Sequence, residues 1–326
     1  MLSLHTNSAA LSAENAISQT QMSLSTSQTR LSTGLRINSS ADDAAGLQIA
    51  TRLKAQTSGM AIAMRNTQNS ISMMQTADGA LSETSNILSR MKDLATQAAD
   101  GSASSDDQTA MQSEYDSLAK QLGNIMSNTT FGGTKLLAGA DFANSPNGAT
   151  PGTDVGTFAA KGGVTFQIGS STSETMNVDL STQMGLLDQA FQATSKLYAG
   201  NDAEATTVAG LAAGTTGSEL IGTSADPTTG NQVANANAMI DTLSTAISAV
   251  STVRSALGAN ENSLDHVYNN LQNISTNTQA ATGRLEDTDF AAESSNMTSN
   301  QMLLQAGTAM LKQSNSISSL VISLLQ

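Results

Sequence analysis

The sequence predicts a mainly α-helical fold, with long helices in a coiled-coil or rod-like bundle, one or two small β-hairpins in the middle, and paired N- and C-termini. Three observations support this prediction. Apolar residues recur at steps of seven near both ends, the same step returns in inner segments, and the pattern fades between about residues 130 and 235. With 39% hydrophobic but only 3% aromatic residues, the chain suits thin helical layers better than one thick core.

Composition argues against several classes of function. The chain has no cysteine, which excludes disulfides, thiolate zinc sites and thiol catalysis. The net charge of −13 argues against nucleic acid as a partner. The histidines, His5 and His266, form no recognisable catalytic or zinc-binding pattern, and no phosphate-binding glycine motif occurs. We therefore expect a non-enzyme without cofactor or metal. With no run of about 18 apolar residues, we also expect no membrane span.

The first and last elements are predicted to be long helices that pair with each other. Their apolar columns repeat at six or seven residues, which is the spacing of a coiled-coil seam. The candidate interface residues of this coiled coil are Leu4, Leu11, Ile17, Leu24, Leu31, Phe290, Met297, Leu304, Leu311, Ile317 and Leu324. Residues 1–33 and 290–326 are thus predicted to form one coiled-coil domain.

A connector at 34–43 separates the first helix from the next. Gly34 fits a helix C-cap, and Arg36 lies in the extended part that follows. Ser40 with Asp43 three residues later predicts a capping box, with Asp42 and Asp43 in the first turn of the next helix. The segment 283–289, with Arg284 and its Asp/Thr/Asp cluster, repeats this arrangement near the C-terminus, and the cluster can cap the last helix.

The inner elements are predicted to form a rod-like helical domain from 44–184 and 232–282. One helix runs from about 44 to 99, a shorter one follows from about 105 to 129, and a third lies after 232. Their apolar residues again recur at steps of seven, as in the column Leu243, Val250, Leu257, Leu264 and Leu271.

The middle of the chain has a different composition. Short runs of Val, Thr, Phe and Ile bounded by glycine predict β-hairpins within about 131–180. We predict a small insertion or loop region at 185–231, in which residues from about 199 to 230 are rich in Gly, Thr and Ala and are expected to be a surface loop.

The terminal helices carry very few charges. Residues 1–33 contain only Glu14 and Arg30, and 290–326 contain only Glu293 and Lys312. Helices without a charged face cannot use ion pairs along their surface for stability. We therefore expect other copies of the chain to order them.

Long stretches of this chain resemble bacterial flagellin, the subunit of the flagellar filament. The resemblance rests on "RLSTGLRINSSADDAAGLQIATRL" at 30–53, "TTFGGTKLL" at 129–137 and "DFAAESSNMTSNQMLLQAGTAML" from 289, and covers about residues 1–180 and 232–326. "HTNSAAL" and "AMRNTQNSISMMQTADGA" resemble the lateral, swarming type more than the main filament type.

The resemblance implies an inner tube made of the terminal helices, a surrounding rod, and a middle region that faces outward. It also implies a helical homopolymer and unfolded export through the flagellar type III channel to the exterior. The absence of a basic segment followed by an apolar run at the N-terminus is consistent with that route, since no cleaved Sec signal is predicted. A dedicated export chaperone, the filament cap and hook–filament junction proteins are the implied partners.

A host partner is implied as well. In flagellins detected by Toll-like receptor 5, the receptor surface matches Arg90, Leu94 and Glu114 of this chain. Leu94 also belongs to a column of apolar residues, and Arg90 and Glu114 could instead serve contacts between subunits.

Two other functions remain as alternatives, a hook–filament junction protein and a secreted coiled-coil adhesin or effector.

Overall fold

The computed structural model describes residues 7–137, 156–195, 219–220 and 231–324. Side chains are described for the same residues except 231–233 and 317–324. Within these ranges the chain forms six helices and four short strands. The elements in chain order are α1 (Ser8–Thr33), α2 (Ala44–Ala98), α3 (Ser105–Asn128), β1 (Thr130–Phe131), β2 (Thr134–Lys135), β3 (Val164–Gln167), β4 (Thr175–Val178), α4 (Ser181–Thr194), α5 (Asn231–Glu286) and α6 (Phe290–Leu324). The predicted mainly helical fold is therefore confirmed.

The strands form two separate antiparallel hairpins, as the sequence predicts. β1 pairs with β2 around Gly132 and Gly133, and β3 pairs with β4 from Val164 opposite Val178. Both glycines of the first turn have positive φ, a conformation that other residues adopt at a cost.

The chain divides into two compact units. The first comprises Met1–Ser58 and Asn273–Gln326, and the second comprises Gly59–Gln272. α1 and α6 belong to the first unit, whereas α3, α4 and both hairpins belong to the second. None of the helices in the described ranges is long and apolar enough to cross a membrane.

The main hydrophobic core lies in the second unit and is built from the predicted heptad columns. α2 contributes Leu81 and Leu88, seven residues apart, and α5 contributes Leu243 and Val250, also seven apart, all of them buried. Residues at steps of seven on a helix return to nearly the same face, so one continuous stripe is buried along each of these helices.

The structure differs from the prediction at two element boundaries. Residues 185–194, which we expected to be part of a loop region, form most of α4, and Leu187 and Phe191 are fully buried in the core. Helix α5 continues through Gly283 to Glu286 instead of breaking at the glycine. The rest of the predicted loop region, apart from Ser195, 219–220 and residue 231, lies outside the described residues.

Candidate assembly interface

The first unit is organised around an antiparallel seam between α1 and α6. Asn7 donates from Nδ2 to the carbonyl of Ser314 at 3.3 Å and to its hydroxyl at 3.1 Å. Ile17 lies against Gly307, where an added Cβ would approach Ile17 Cγ1 to 2.9 Å. These contacts join residues near the two ends of the sequence and fix the register of the helix pair.

The less exposed positions on both helices follow alternating steps of three and four. On α1 they include Asn7, Ala10, Ala13, Ile17, Thr20, Leu24, Ser27 and Leu31, and on α6 they include Glu293, Met297, Asn300, Leu304, Gly307, Leu311 and Ser314. This is heptad spacing with many small or polar seam residues. Small side chains allow the two backbones to approach closely, and a search for large apolar residues alone misses them.

The predicted interface residues divide into two groups. Ile17, Leu24, Leu31, Met297, Leu304 and Leu311 are half-buried in the described unit. Leu11 and Phe290 are 61% and 57% exposed, so they do not belong to the seam within the chain. Leu11 lies outside the seam because Ala10, one residue earlier on α1, occupies the seam position. Leu4 lies outside the described residues, and the side chains of Ile317 and Leu324 are not described.

Several large apolar side chains on α1 and α6 point away from this seam. Met22, Met302 and Leu303 are mostly exposed, and Met310 is 68% exposed. Together with Leu11 and Phe290 we call them the outer apolar residues. On helices with so few charges, these exposed side chains make α1 and α6 candidates for contact with another protein.

A short junction in the first unit lies where α1 and α5 end and where α2 and α6 begin. Gly34 ends α1 with a positive φ of 75°, and its N–H donates to the carbonyl of Arg30. Leu35 then forms an antiparallel bridge with Asp287, supported by the bond from the Thr288 N–H to the Gly34 carbonyl at 3.0 Å. The two connectors, 34–43 and 283–289, therefore meet by backbone pairing.

Charged side chains reinforce the junction. The Arg36 guanidinium donates to the carbonyl of Leu285 at 2.9 Å, and the Arg36 N–H donates to the carbonyl of Glu286. Glu286 is buried and forms an ion pair with Lys54. Arg284, in contrast, is exposed beside a shallow depression that Gly283 and Asp287 also line.

The N-terminus of α2 is capped differently from the prediction. Asp43, and not Ser40, is the residue before the helix, and its Oδ1 accepts from the Gly46 N–H at 2.9 Å. Asp42 lies outside the first turn and accepts from the backbone and hydroxyl of Ser39. The predicted Ser40 capping box is therefore wrong, because an aspartate next to the helix reaches the free N–H groups directly.

Hydrogen bonds also affect the titration of Asp42. The Ser39 backbone N–H, the Ser39 hydroxyl and the Asn38 backbone N–H favour its charged form and hold its pKa below the ordinary value of 3.8. Arg30, with its nearer nitrogen 3.9 Å from the carboxylate, acts in the same direction.

The three candidate receptor-binding residues lie in the second unit in different environments. Arg90 donates from Nε and Nη2 to Glu114 Oε1 at 2.9 and 2.7 Å, and both side chains are about half exposed. Leu94 is only 2% exposed within the main core. The burial of Leu94 agrees with its place in a column of apolar residues and leaves Arg90 and Glu114 as the exposed members of the three.

Comparison with known proteins identifies two family regions in the chain. Residues 4–141 match the bacterial flagellin N-terminal helical region, and residues 240–325 match the C-terminal helical region. Flagellin A of Vibrio anguillarum is 33% identical in an alignment of 377 positions that covers 100% of both proteins. Polar flagellin F of Vibrio parahaemolyticus serotype O3:K6 is 42% identical over 179 residues, or 55% of this chain and 42% of that protein.

Similarity in fold extends to solved structures. A chain described as a flagellar hook-associated protein from Vibrio parahaemolyticus has a TM-score of 0.52 and 15% identity, over 76% of this chain and 100% of that one. The family regions flank the middle of the chain and include both helices of the seam, and a full-length relative supports the assignment. The chain belongs to the bacterial flagellin family.

Proposed function

We propose that this chain is a structural subunit that assembles with copies of itself into a bacterial flagellar filament and acts without catalysis. The observation that carries this proposal is the set of outer apolar residues on α1 and α6, such as Met302, Leu303 and Met310. Covering them removes apolar surface from water, which favours association.

The proposed mechanism is repetition of one contact. A head-to-tail interface joins two different surfaces of neighbouring copies, and it produces a helical polymer when the rotation between copies does not close a ring. The outer apolar residues supply one surface of such a contact. We place the other on a neighbouring copy, so that α1 and α6 gain partners only in the polymer.

We assign the layers of the subunit as the sequence predicts. Residues 1–33 and 290–326 form the inner coiled-coil domain. The two connectors, 34–43 and 283–289, are the linkers between this domain and the next. Residues 44–184 and 232–282 form the rod-like helical domain, with the hairpin region within about 131–180. The outward-facing insertion remains assigned to 185–231, except that 185–194 pack in the core as part of α4.

We further propose that the chain reaches the exterior unfolded through the flagellar type III channel. An export chaperone would hold the C-terminal segment before export, and the cap and hook–filament junction proteins would contact the subunit at the filament ends. The low charge of α1 and α6 supports this, since most of the stability of helices in proteins comes from tertiary packing, which an unfolded chain in transit lacks. The lateral-type resemblance stays a prediction.

Deletion of residues 290–326 tests the assembly proposal. The truncated chain should keep the core of the second unit, which uses none of these residues, but should not polymerise. Electron microscopy after seeding with filament fragments, alongside circular dichroism, separates loss of assembly from loss of folding. Filaments formed by the truncated chain would contradict the inner-domain assignment.

Recognition of the monomer by Toll-like receptor 5 is a second proposal, now centred on Arg90 and Glu114. A receptor reporter assay with depolymerised protein should give a response that Arg90→Ala and Glu114→Ala reduce. Leu94→Ala is the matched control for a folding defect, since Leu94 is buried. No response to the wild-type monomer would remove this proposal.

The alternatives predict different assembly. A hook–filament junction protein would cap a hook in few copies and would not extend filaments of itself. A secreted adhesin or effector would not require both terminal helices together. Extended filaments of the purified chain alone would exclude both alternatives.

A further inference from the structure

Three methionine side chains on α1 and α6 are open to solvent in the first unit. Met22 is 62% exposed, Met302 is 60% exposed and Met310 is 68% exposed. All three belong to the outer apolar residues, whereas the contact between the two helices uses residues such as Ile17 and Gly307. Small solutes in water can therefore reach these three thioethers without opening the seam.

The other methionines with described side chains are more enclosed. In the second unit Met74 and Met91 have no exposed surface and Met126 is 1% exposed, all within the main core. On α6 itself, Met297 is half-buried as a seam residue. Within the described ranges, the exposed methionines thus lie only on the two helices that carry the proposed assembly surface.

Methionine is the side chain in this chain that most readily accepts an oxygen atom. The sequence contains neither cysteine nor tryptophan, which compete for such oxidants in other proteins. A lone pair of the methionine sulfur attacks one oxygen of hydrogen peroxide, so that an S–O bond forms and the O–O bond breaks. The departing hydroxide takes the proton of the transferred oxygen and leaves as water. The sulfur loses two electrons and the peroxide gains them.

We propose that Met22, Met302 and Met310 are oxidation sites of the unassembled chain, and that peroxides convert them to sulfoxides that keep the chain out of the polymer. The second half of this inference rests on the proposed assembly function. A sulfoxide oxygen is a strong hydrogen-bond acceptor, and its burial against apolar surface without a donor is unfavourable. Oxidation thus places a polar group on the surface that assembly covers.

The positions of these residues confine the effect to association. Leu303 and Met310 are seven residues apart and share one face of α6, whereas Leu304 and Leu311 form the neighbouring seam column. A sulfoxide at Met310 lies in water in the monomer. The seam and the helicity of the monomer should therefore be kept after oxidation.

Site-resolved mass spectrometry tests the first half in the full-length monomer. After brief treatment with hydrogen peroxide at neutral pH, the three exposed methionines should form sulfoxide about tenfold faster than Met74 and Met91, because burial shields the sulfur. Circular dichroism before and after treatment checks that the helices are kept. Equal rates at the exposed and the buried methionines would overturn the assignment.

Seeded polymerisation followed by light scattering tests the second half. Elongation by the oxidised wild type should fall about tenfold or more, because a buried sulfoxide without a hydrogen-bond donor is unfavourable. The triple variant Met22→Leu, Met302→Leu and Met310→Leu keeps apolar side chains of similar volume and should elongate normally before and after peroxide treatment. Met297→Leu is the matched control, since it retains the three exposed methionines and should lose elongation on oxidation as wild type does.

The two halves fail in different ways. If the untreated wild type does not elongate, the proposed assembly function and the second half are both contradicted, while the pattern of oxidation still decides the first half. Normal elongation of the oxidised wild type would overturn the second half alone. Equal loss of elongation by the oxidised triple variant would also overturn it, because the loss would then come from another oxidised residue.

Discussion

Gly79 and Gly163 differ in what an added methyl group would meet. Gly79 lies inside α2 with no atom within 4 Å of the position that a Cβ would take, whereas Gly163 has a φ of 67° and would press a Cβ against the Val178 carbonyl. We predict that Gly79→Ala raises the free energy of unfolding by about 0.5 to 1 kcal/mol, because alanine loses less backbone entropy in a helix. Urea unfolding followed by circular dichroism measures this change.

The opposite result is expected for Gly163→Ala. We predict a loss of more than about 1 kcal/mol, because the left-handed backbone and the nearby carbonyl both disfavour a side chain. The same urea titration applies, with Gly79→Ala as the control for general effects of alanine. Equal stabilisation by both substitutions would contradict the described turn before β3.

At the scale of elements, the start of α2 gives the clearest test of the corrected cap. Asp43→Ala should lower the free energy of unfolding by about 1 kcal/mol, because it removes the acceptor of the Gly46 N–H. Ser40→Ala is the matched control and should change little, since Ser40 does not cap the helix. A larger loss for Ser40→Ala than for Asp43→Ala in thermal unfolding would restore the original capping box.

The turn before α2 should depend on pH through Asp42. Its pKa is lowered in the folded state, so its contribution is present above the ordinary value of 3.8 and is lost as the pH falls through the folded-state pKa. Asp42→Asn should therefore be less stable than wild type at neutral pH, and the difference should vanish in strong acid. Thermal midpoints across this range check it, and a difference that persists below the folded-state pKa would refute it.

Helix positions could be read from the sequence because periodicity and caps are local. Heptad columns predicted the buried stripe that includes Leu243 and Val250, and glycine-bounded runs predicted both hairpins. Contacts made over long sequence separations could not be read in this way. The α1–α6 seam contains Ser27 and Gly307, and neither residue type gives an apolar signal in the sequence.

At the scale of the whole molecule, the proposed assembly requires α1 and α6 to expose the outer apolar residues while they keep the seam between them. Leu303 and Leu304 are neighbours on α6, but Leu303 is 57% exposed and Leu304 is a seam residue. We predict that Leu303→Asp keeps the helicity of the monomer and reduces polymerisation. Leu304→Asp should instead reduce monomer helicity, because it places a charge against α1.

Circular dichroism of the monomer and light scattering after seeding measure these two effects. Each variant is the control for the other, since both introduce the same charge one residue apart. Normal polymerisation of Leu303→Asp would show that this side chain is not covered in the polymer.

The seam between α1 and α6 also determines when the first unit can fold. Asn7 and Ser314 are 307 residues apart in the chain and hydrogen bond to each other. Contacts over such separations carry a large loop-closure entropy and form slowly, whereas the pair α2 and α3 can form from nearby residues. A chain that emerges gradually from either end leaves one seam helix without its partner until the residues between α1 and α6 have also emerged. Formation of the seam therefore requires both helices and everything between them to be outside.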